Sequence, residues 1–106
     1  MKIYSWNVNG IRAIEKKGFF TWMREVSPDI ICLQEIKAQQ EQLGEVFLNQ
    51  TGYIPYWTPA QRKGYSGTAV YVKRRPEQFE VLGADEFDVE GRTQILYYPA
   101  FVLINA

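Results

Sequence analysis

Residues 28–37 read PDIICLQEIK. Four consecutive apolar residues, Ile30 to Leu33, run directly into Gln34 and Glu35, with Lys37 two positions on. So short an apolar run, bounded by Pro28-Asp29, reads as a buried strand. Buried strands seldom end on a carboxylate, so Glu35 needs a reason. Upstream, Phe19, Phe20, Trp22, Met23 and Val26 recur at helical spacing, and Ser27-Pro28 closes the segment, predicting an amphipathic helix from about Lys16 to Val26. KIYSWNV at 2–8 is rich in β-branched and aromatic residues and ends at the turn signal Asn9-Gly10, which predicts a first strand. A strand-helix-strand unit follows, with parallel strands and a right-handed crossover.

Downstream, Glu41 to Asn49 reads as a shorter helix with Leu43, Val46 and Phe47 on one side. Tyr53 to Pro59, aromatic and broken by proline, reads as loop or edge strand. GTAVYVK at 67–73 predicts a clean strand, Gln78 to Leu82 another, and residues 93–98 and 101–105 an antiparallel pair joined at Pro99-Ala100. The final FVLINA has no polar stop, so the sheet is expected to be unfinished.

A length of 106 residues makes one domain at most, able to bury a modest core without disulfides or metals. At 46% hydrophobic and 23% charged the chain lies in the globular range, away from disorder. Lys plus Arg and Asp plus Glu balance at 12 each, so any attraction for nucleic acid has to come from local patches. The single Cys32, inside the apolar run, reads as core. There is no histidine, which excludes His-based zinc sites, Ser/His/Asp triads and imidazole bases within these residues. The N-terminus lacks the apolar stretch of a signal peptide and no apolar run is long enough to span a bilayer, so a cytoplasmic protein without a membrane partner is expected.

In a parallel strand-helix-strand unit both strands end at one edge, which brings Asn7 and Asn9 towards Glu35. One carboxylate with two amides suits Mg²⁺, a hard cation held by few carboxylates plus waters and phosphates, and suits zinc poorly. Spacing alone equally allows Glu35 to pair with Lys37 at a sheet edge. RKGYSG at 62–67, with two cations and two glycines, could hold a phosphodiester backbone or could be a solvated loop. The cations of KRR at 73–75 read as a solvated strand exit. DEFDVEGR at 85–92 is not a calcium-binding EF-hand, because with Gly91 in the sixth position Tyr97 falls where the closing Glu belongs. What remains there is an acidic loop ending in Arg92, a possible phosphate contact.

Taken as a set and in this order, SWNVNGIR at 5–12, PDIICLQEIK at 28–37, GYSG at 64–67 and EGR at 90–92 resemble the N-terminal part of the exonuclease III family of abasic-site endonucleases. The resemblance implies an α/β fold, a four-layer α-β-β-α sandwich of the deoxyribonuclease-I type, of which these residues supply roughly the N-terminal half. It implies Mg²⁺-dependent hydrolysis of double-stranded DNA 5′ to abasic sites, with 3′-to-5′ exonuclease or 3′-phosphatase activity, and Mn²⁺ as a substitute ion. On that reading Glu35 is a metal ligand, and Asn9 takes a position where relatives carry Asp or Asn near the metal. Asn7 orients the catalytic carboxylate or lies beside the metal, and Lys37 balances the acidic cluster. Arg12, Tyr65 and Arg92 match positions that touch DNA around the lesion, Tyr65 being flanked by Gly64 and Ser66.

The same resemblance implies a domain more than twice as long. The family's catalytic Tyr, its Asp-any-Asn pair and its late Asp-His pair would then lie beyond these residues. Residues 1–106 are accordingly expected to be the N-terminal portion of one domain, comprising one sheet and its helices, and to be inactive alone. Other phosphodiesterases of this fold, and a DNA-binding module that does not cut, are the competing expectations.

Overall fold

The computed structural model describes residues 1–60, 66–81 and 93–106. Along the chain run β1 (Ile3–Asn7), α1 (Ile11–Lys16), α2 (Phe19–Val26), β2 (Ile30–Gln34), a 3₁₀ turn (Gln40–Gln42) and α3 (Glu45–Leu48). β3 (Ile54–Thr58), β4 (Thr68–Val72), β5 (Gln78–Val81), β6 (Gln94–Tyr97) and β7 (Val102–Asn105) follow. The strands form two sheets, one ordered β1-β2-β4-β3 and the other β5-β6-β7. β1 and β2 are parallel, as the crossover requires, with Ile3 opposite Ile30 and Asn7 opposite Gln34. Every other pairing is antiparallel.

β2 is buried on both faces because each face meets a different layer. Ile31 and Leu33 point to the helices, where they pack with Ile11, Phe19, Phe20, Met23, Phe47 and Tyr71. Ile30 and Cys32 point to the second sheet, against Val70, Val72 and Leu96, with Phe79 and Leu103 at the margin. The two-residue period of a strand thus divides one apolar run between two cores. Aromatic rings fill much of the helix-side core: Phe20 meets Phe47 and Tyr71 edge-on, with centroids 5.7 and 5.6 Å away. The Tyr71 hydroxyl donates to the Phe47 carbonyl, so its polar end is satisfied under α3.

The observed elements depart from the sequence reading in four places. The single helix expected from Lys16 to Val26 is two, broken at Gly18, whose φ of 93° is left-handed, and the first begins at Ile11. The helix expected over 41–49 shrinks to a 3₁₀ turn and the single turn of α3, and Val46 is exposed rather than inward. Tyr53 to Pro59 does form an edge strand, β3, where Pro55 is tolerated because an outer strand leaves backbone donors unpaired. The chain supplies parts of two sheets, not one, because the turn at Pro99-Ala100 folds β7 back beside β6.

Helices cover one face of the first sheet and the second sheet covers the other, which gives three layers among the described residues. The outward row of the second sheet, Ile95 and Tyr97 opposite Ile104 and Val102, is apolar, and Val102 and Ile104 are 54% and 64% exposed. No described helix is long and apolar enough to cross a membrane.

Burial between the sheets pushes the Cys32 thiol up to about 11 and the Tyr98 phenol up to about 12. The folded state therefore binds protons that the unfolded chain releases at lower pH, so this contribution is complete below pH 9 and is lost as pH rises through 11. Urea titrations at stepped pH are expected to show stability falling above pH 9. Cys32→Ala is expected to lose the part of that decline lying between pH 9 and 11.

Candidate functional site

The parallel ladder of β1 and β2 does not stop where the strands end. The Val8, Gly10 and Ile11 amides donate to the Gln34, Glu35 and Ile36 carbonyls at 3.0, 2.8 and 2.9 Å. On the other side, the Ile36 and Lys37 amides donate to the Gly67 and Ser66 carbonyls at 3.1 and 2.8 Å. The loop after β2 is thus held from both sides. It is also bent: Asn9, Glu35, Lys37 and Ser66 have φ of 48°, 54°, 53° and 47°. Among the described residues the only other non-glycine residue with positive φ is Ser27, so four of five such positions gather at this edge. Each costs of order 1–3 kcal/mol, and strain of this kind clusters at functional sites.

The alternation has a steric purpose. Between left-handed Glu35 and left-handed Lys37, Ile36 is fully buried in the helix-side core, which leaves both charged side chains on the surface. Gly67 makes room for it: a Cβ there would lie 2.9 Å from Ile36 Cγ1, and its φ of +88° is itself a glycine conformation.

Asn7 Nδ2 donates to Glu35 Oε2 at 2.5 Å, while Asn7 Oδ1 accepts from the Asn9 amide at 3.2 Å. Lys37 Nζ donates to Asn9 Oδ1 at 2.5 Å and stands 3.8 Å from Glu35 Oε1. The four sequence candidates Asn7, Asn9, Glu35 and Lys37 therefore form one connected cluster. The Glu35–Lys37 ion pair allowed by spacing exists, but at this length and exposure it contributes at most about 1 kcal/mol. The tighter partners are the amides. Two oxygens, Glu35 Oε1 and Asn9 Oδ1, flank one cationic nitrogen, so the residues present offer an all-oxygen set of the kind hard cations take. Among the described residues no group of three or more His, Cys, Asp or Glu side chains converges, and the side chains bonded to this cluster's carboxylate are an amide and a lysine.

Arg12 stands in the first turn of α1 and lines an open groove of about 650 Å³ with Gly10, Ala13, Lys16, Lys17 and Lys37. Four cations on one groove beside Glu35 make the local positive patch that the neutral overall composition leaves room for. Lys16, four residues after Arg12, shares its helix face by spacing alone, whereas Lys17 joins the groove from the C-cap of α1, which no helical spacing signals. Ser66 enters through its backbone, as the acceptor from Lys37. Gly64, Tyr65 and Arg92 lie outside the described residues, as do most of the RKGYSG and DEFDVEGR loops.

The described residues thus form a two-sheet α/β core that brings a carboxylate and amides from strand ends to the rim of a basic groove. Residues 4–105 match the family model described as the Endonuclease/Exonuclease/phosphatase family, and the chain belongs to that family. It is 47% identical over 100 residues to an exodeoxyribonuclease of Bacillus subtilis, an alignment covering 92% of this chain and 38% of that protein. It is 40% identical over 109 residues to the DNA repair nuclease APEX1 of Danio rerio, covering 100% of this chain and 35% of that one. An AP endonuclease from Archaeoglobus fulgidus superposes with a TM-score of 0.79 at 28% identity, over 98% of this chain and 39% of that one. The chain thus spans well under half the length of these relatives, and its likeness to them bears out the deoxyribonuclease-I-type sandwich and the exonuclease III resemblance.

Gly67→Ala is expected to cost about 1–3 kcal/mol, from the left-handed backbone and the displaced Ile36 together. Gly52→Ala is the control, because Gly52 has a similar φ of +85° with nothing within 4 Å of a Cβ. Urea unfolding should show the larger loss at Gly67.

Proposed function

We propose that this chain carries the metal-holding edge of a Mg²⁺-dependent phosphodiesterase that cleaves double-stranded DNA on the 5′ side of abasic sites. Exonuclease action from 3′ ends and removal of 3′ phosphates would use the same edge, and Mn²⁺ would substitute for Mg²⁺. The observation that carries the proposal is Glu35, delivered by a buried strand to the surface, braced by Asn7 at 2.5 Å and bordered by a four-cation groove. The names of the relatives, an exodeoxyribonuclease and DNA repair nucleases, support the substrate class, as does a Neisseria 3′ phosphatase bound to product DNA hairpin that superposes with a TM-score of 0.78 at 25% identity. Cytoplasmic or nucleoid DNA would be the setting.

Glu35 would hold the ion through Oε1, with Asn9 Oδ1 and Asn7 at its border. The bound ion would polarise the phosphate and stabilise charge on the leaving 3′ oxygen. Asn7 keeps the carboxylate fixed by donating to Oε2, which spares the cost of ordering it when substrate arrives. Lys37 neutralises the edge when no divalent cation is bound, then turns to phosphate. Arg12, Lys16 and Lys17 take the strand's phosphates along α1, and Gly64, Tyr65 and Arg92 are proposed to add contacts to the same backbone. Residues 1–106 would be the N-terminal portion of a single domain, supported by a family match across 4–105 together with coverage of 38% of the Bacillus relative. With one carboxylate at this edge among the described residues and no histidine in the sequence, the 106 residues alone would not complete the reaction.

The test is a duplex bearing one abasic-site analogue, incubated with Mg²⁺ or with EDTA. The 106-residue chain is expected to leave it intact, and a protein extended to the relatives' length to make a single Mg²⁺-dependent nick. In that longer protein Glu35→Gln should slow nicking by about 10² or more, a loss of roughly 3 kcal/mol in transition-state stabilisation. Unchanged nicking by Glu35→Gln at saturating Mg²⁺ would overturn the assignment. Salt-dependent DNA binding by the longer protein, with no cleavage and no response to Mg²⁺, would favour a binding module instead.

A further inference from the structure

Directly beneath the Glu35 edge the core between the sheets turns polar. Asn7, Gln34, Thr68 and Thr58 occupy one register row across the first sheet, and Gln94 and Asn105 are directly paired in the second. Gln94, Asn105 and Thr68 are buried, at 0%, 2% and 2% exposure, in a place where apolar side chains would ordinarily be.

The bonds in this layer are directional. Asn105 Nδ2 donates to the Leu33 and Ala69 carbonyls at 3.2 and 3.1 Å and to Gln94 Oε1 at 2.9 Å. Its Oδ1 accepts from Gln34 Nε2 at 2.8 Å, and the same nitrogen donates to Ser5 Oγ at 3.0 Å. Gln94 Nε2 reaches on to the Tyr56 carbonyl and Thr58 Oγ1, both at 2.9 Å. Asn105 therefore grips β2 twice, at the Leu33 carbonyl and at the Gln34 side chain, the two residues immediately before Glu35.

We propose that Asn105, reaching from the end of β7, is a positioning residue for Glu35, acting through Gln34 to fix the end of β2 against the second sheet. The proposal deepens the functional reading above and rests on it for the purpose of the edge. Stability alone gives the layer no reason to be polar, since apolar residues of similar volume would fill the gap without desolvating three amides. Direction is what it adds. A packed apolar contact lets a strand end slide by fractions of an ångström, whereas two bonds to consecutive residues of β2 fix both its height and its rotation. Glu35, in a strained left-handed conformation one residue further on, inherits that alignment. Partners that orient a metal ligand from behind commonly matter 10- to 100-fold in metal affinity.

The experiment uses the 106-residue chain and two readouts: the NMR resonances of the Asn7 side-chain amide, which report its bond to Glu35, and Mn²⁺ affinity measured by electron paramagnetic resonance. Gln34→Met, at a half-buried position, cuts the link with little threat to folding, and Asn105→Leu removes its origin. Tyr71→Phe is the control, losing a buried hydrogen bond on the opposite face of the same sheet. Gln34→Met and Asn105→Leu are expected to move the Asn7 amide resonances towards those of a solvated amide and to weaken Mn²⁺ binding about tenfold. Tyr71→Phe should lower the melting temperature and change neither readout. An Asn7 amide undisturbed in Gln34→Met, or equal loss of Mn²⁺ affinity in Tyr71→Phe, would overturn the proposal. Wild-type chain that binds Mn²⁺ no better than Glu35→Gln would overturn the functional reading, and the Asn7 amide would then decide the positioning role by itself.

Discussion

Everything in this structure hangs on β2 being wanted by two layers at once. Ile31 and Leu33 are drawn into the helix-side core, while Ile30 and Cys32 are drawn between the sheets. A one-residue slip would exchange the two sets and turn Gln34 towards the helices, so the register of the strand is held from both sides. That constraint decides where β2 runs out, and therefore where Glu35 stands. β1 lies parallel to it because the connecting chain of α1 and α2 covers one face only, and parallel pairing places Asn7 opposite Gln34.

From that point the edge is built by small steps whose energies are unequal. Burial of Ile36, worth roughly 1.5–3 kcal/mol, offsets part of the cost of the left-handed residues on either side of it, and the backbone bonds to Gly67 and Ser66 add to it. The polar contacts at the surface are weaker individually. Asn7 to Glu35 and Lys37 to Asn9 are exposed hydrogen bonds, each contributing on the order of 1 kcal/mol, and they set direction more than stability. The apolar tooth holds the loop and the polar groups aim it. Substitution at the surface can therefore change the chemistry of the edge while its backbone stays in place.

Much of this was legible in the sequence because it depends on period and punctuation. The run IICL, the turn at Asn9-Gly10 and the closure at Ser27-Pro28 located the parallel unit, and with it the meeting of Asn7, Asn9 and Glu35. The break at Gly18 was hidden, because apolar spacing on either side of it continues as if one helix were present. The 3₁₀ turn and short α3 mimic one longer helix in sequence because Leu43 and Phe47 share an apolar face, although Gly44, between them, interrupts it. The division into two sheets is not legible in the sequence, because whether Pro99-Ala100 continues a first sheet or closes a second is set by contacts distant in sequence. Gln34, Gln94 and Asn105 could not be grouped for the same reason: nothing local says that three separated amides will share one buried row.

That row has a consequence in time. Gln34 and Asn105 are 71 positions apart, so a chain emerging from the ribosome at about 5–20 residues per second carries Glu35 into solution several seconds before Asn105 exists. The first strands and helices can pair and bury Ile36 during that interval. The bonds from Asn105 to the end of β2 form later than that pairing. A nascent polypeptide of this kind can therefore pair its first strands before the residue that bonds to the end of β2 has been added.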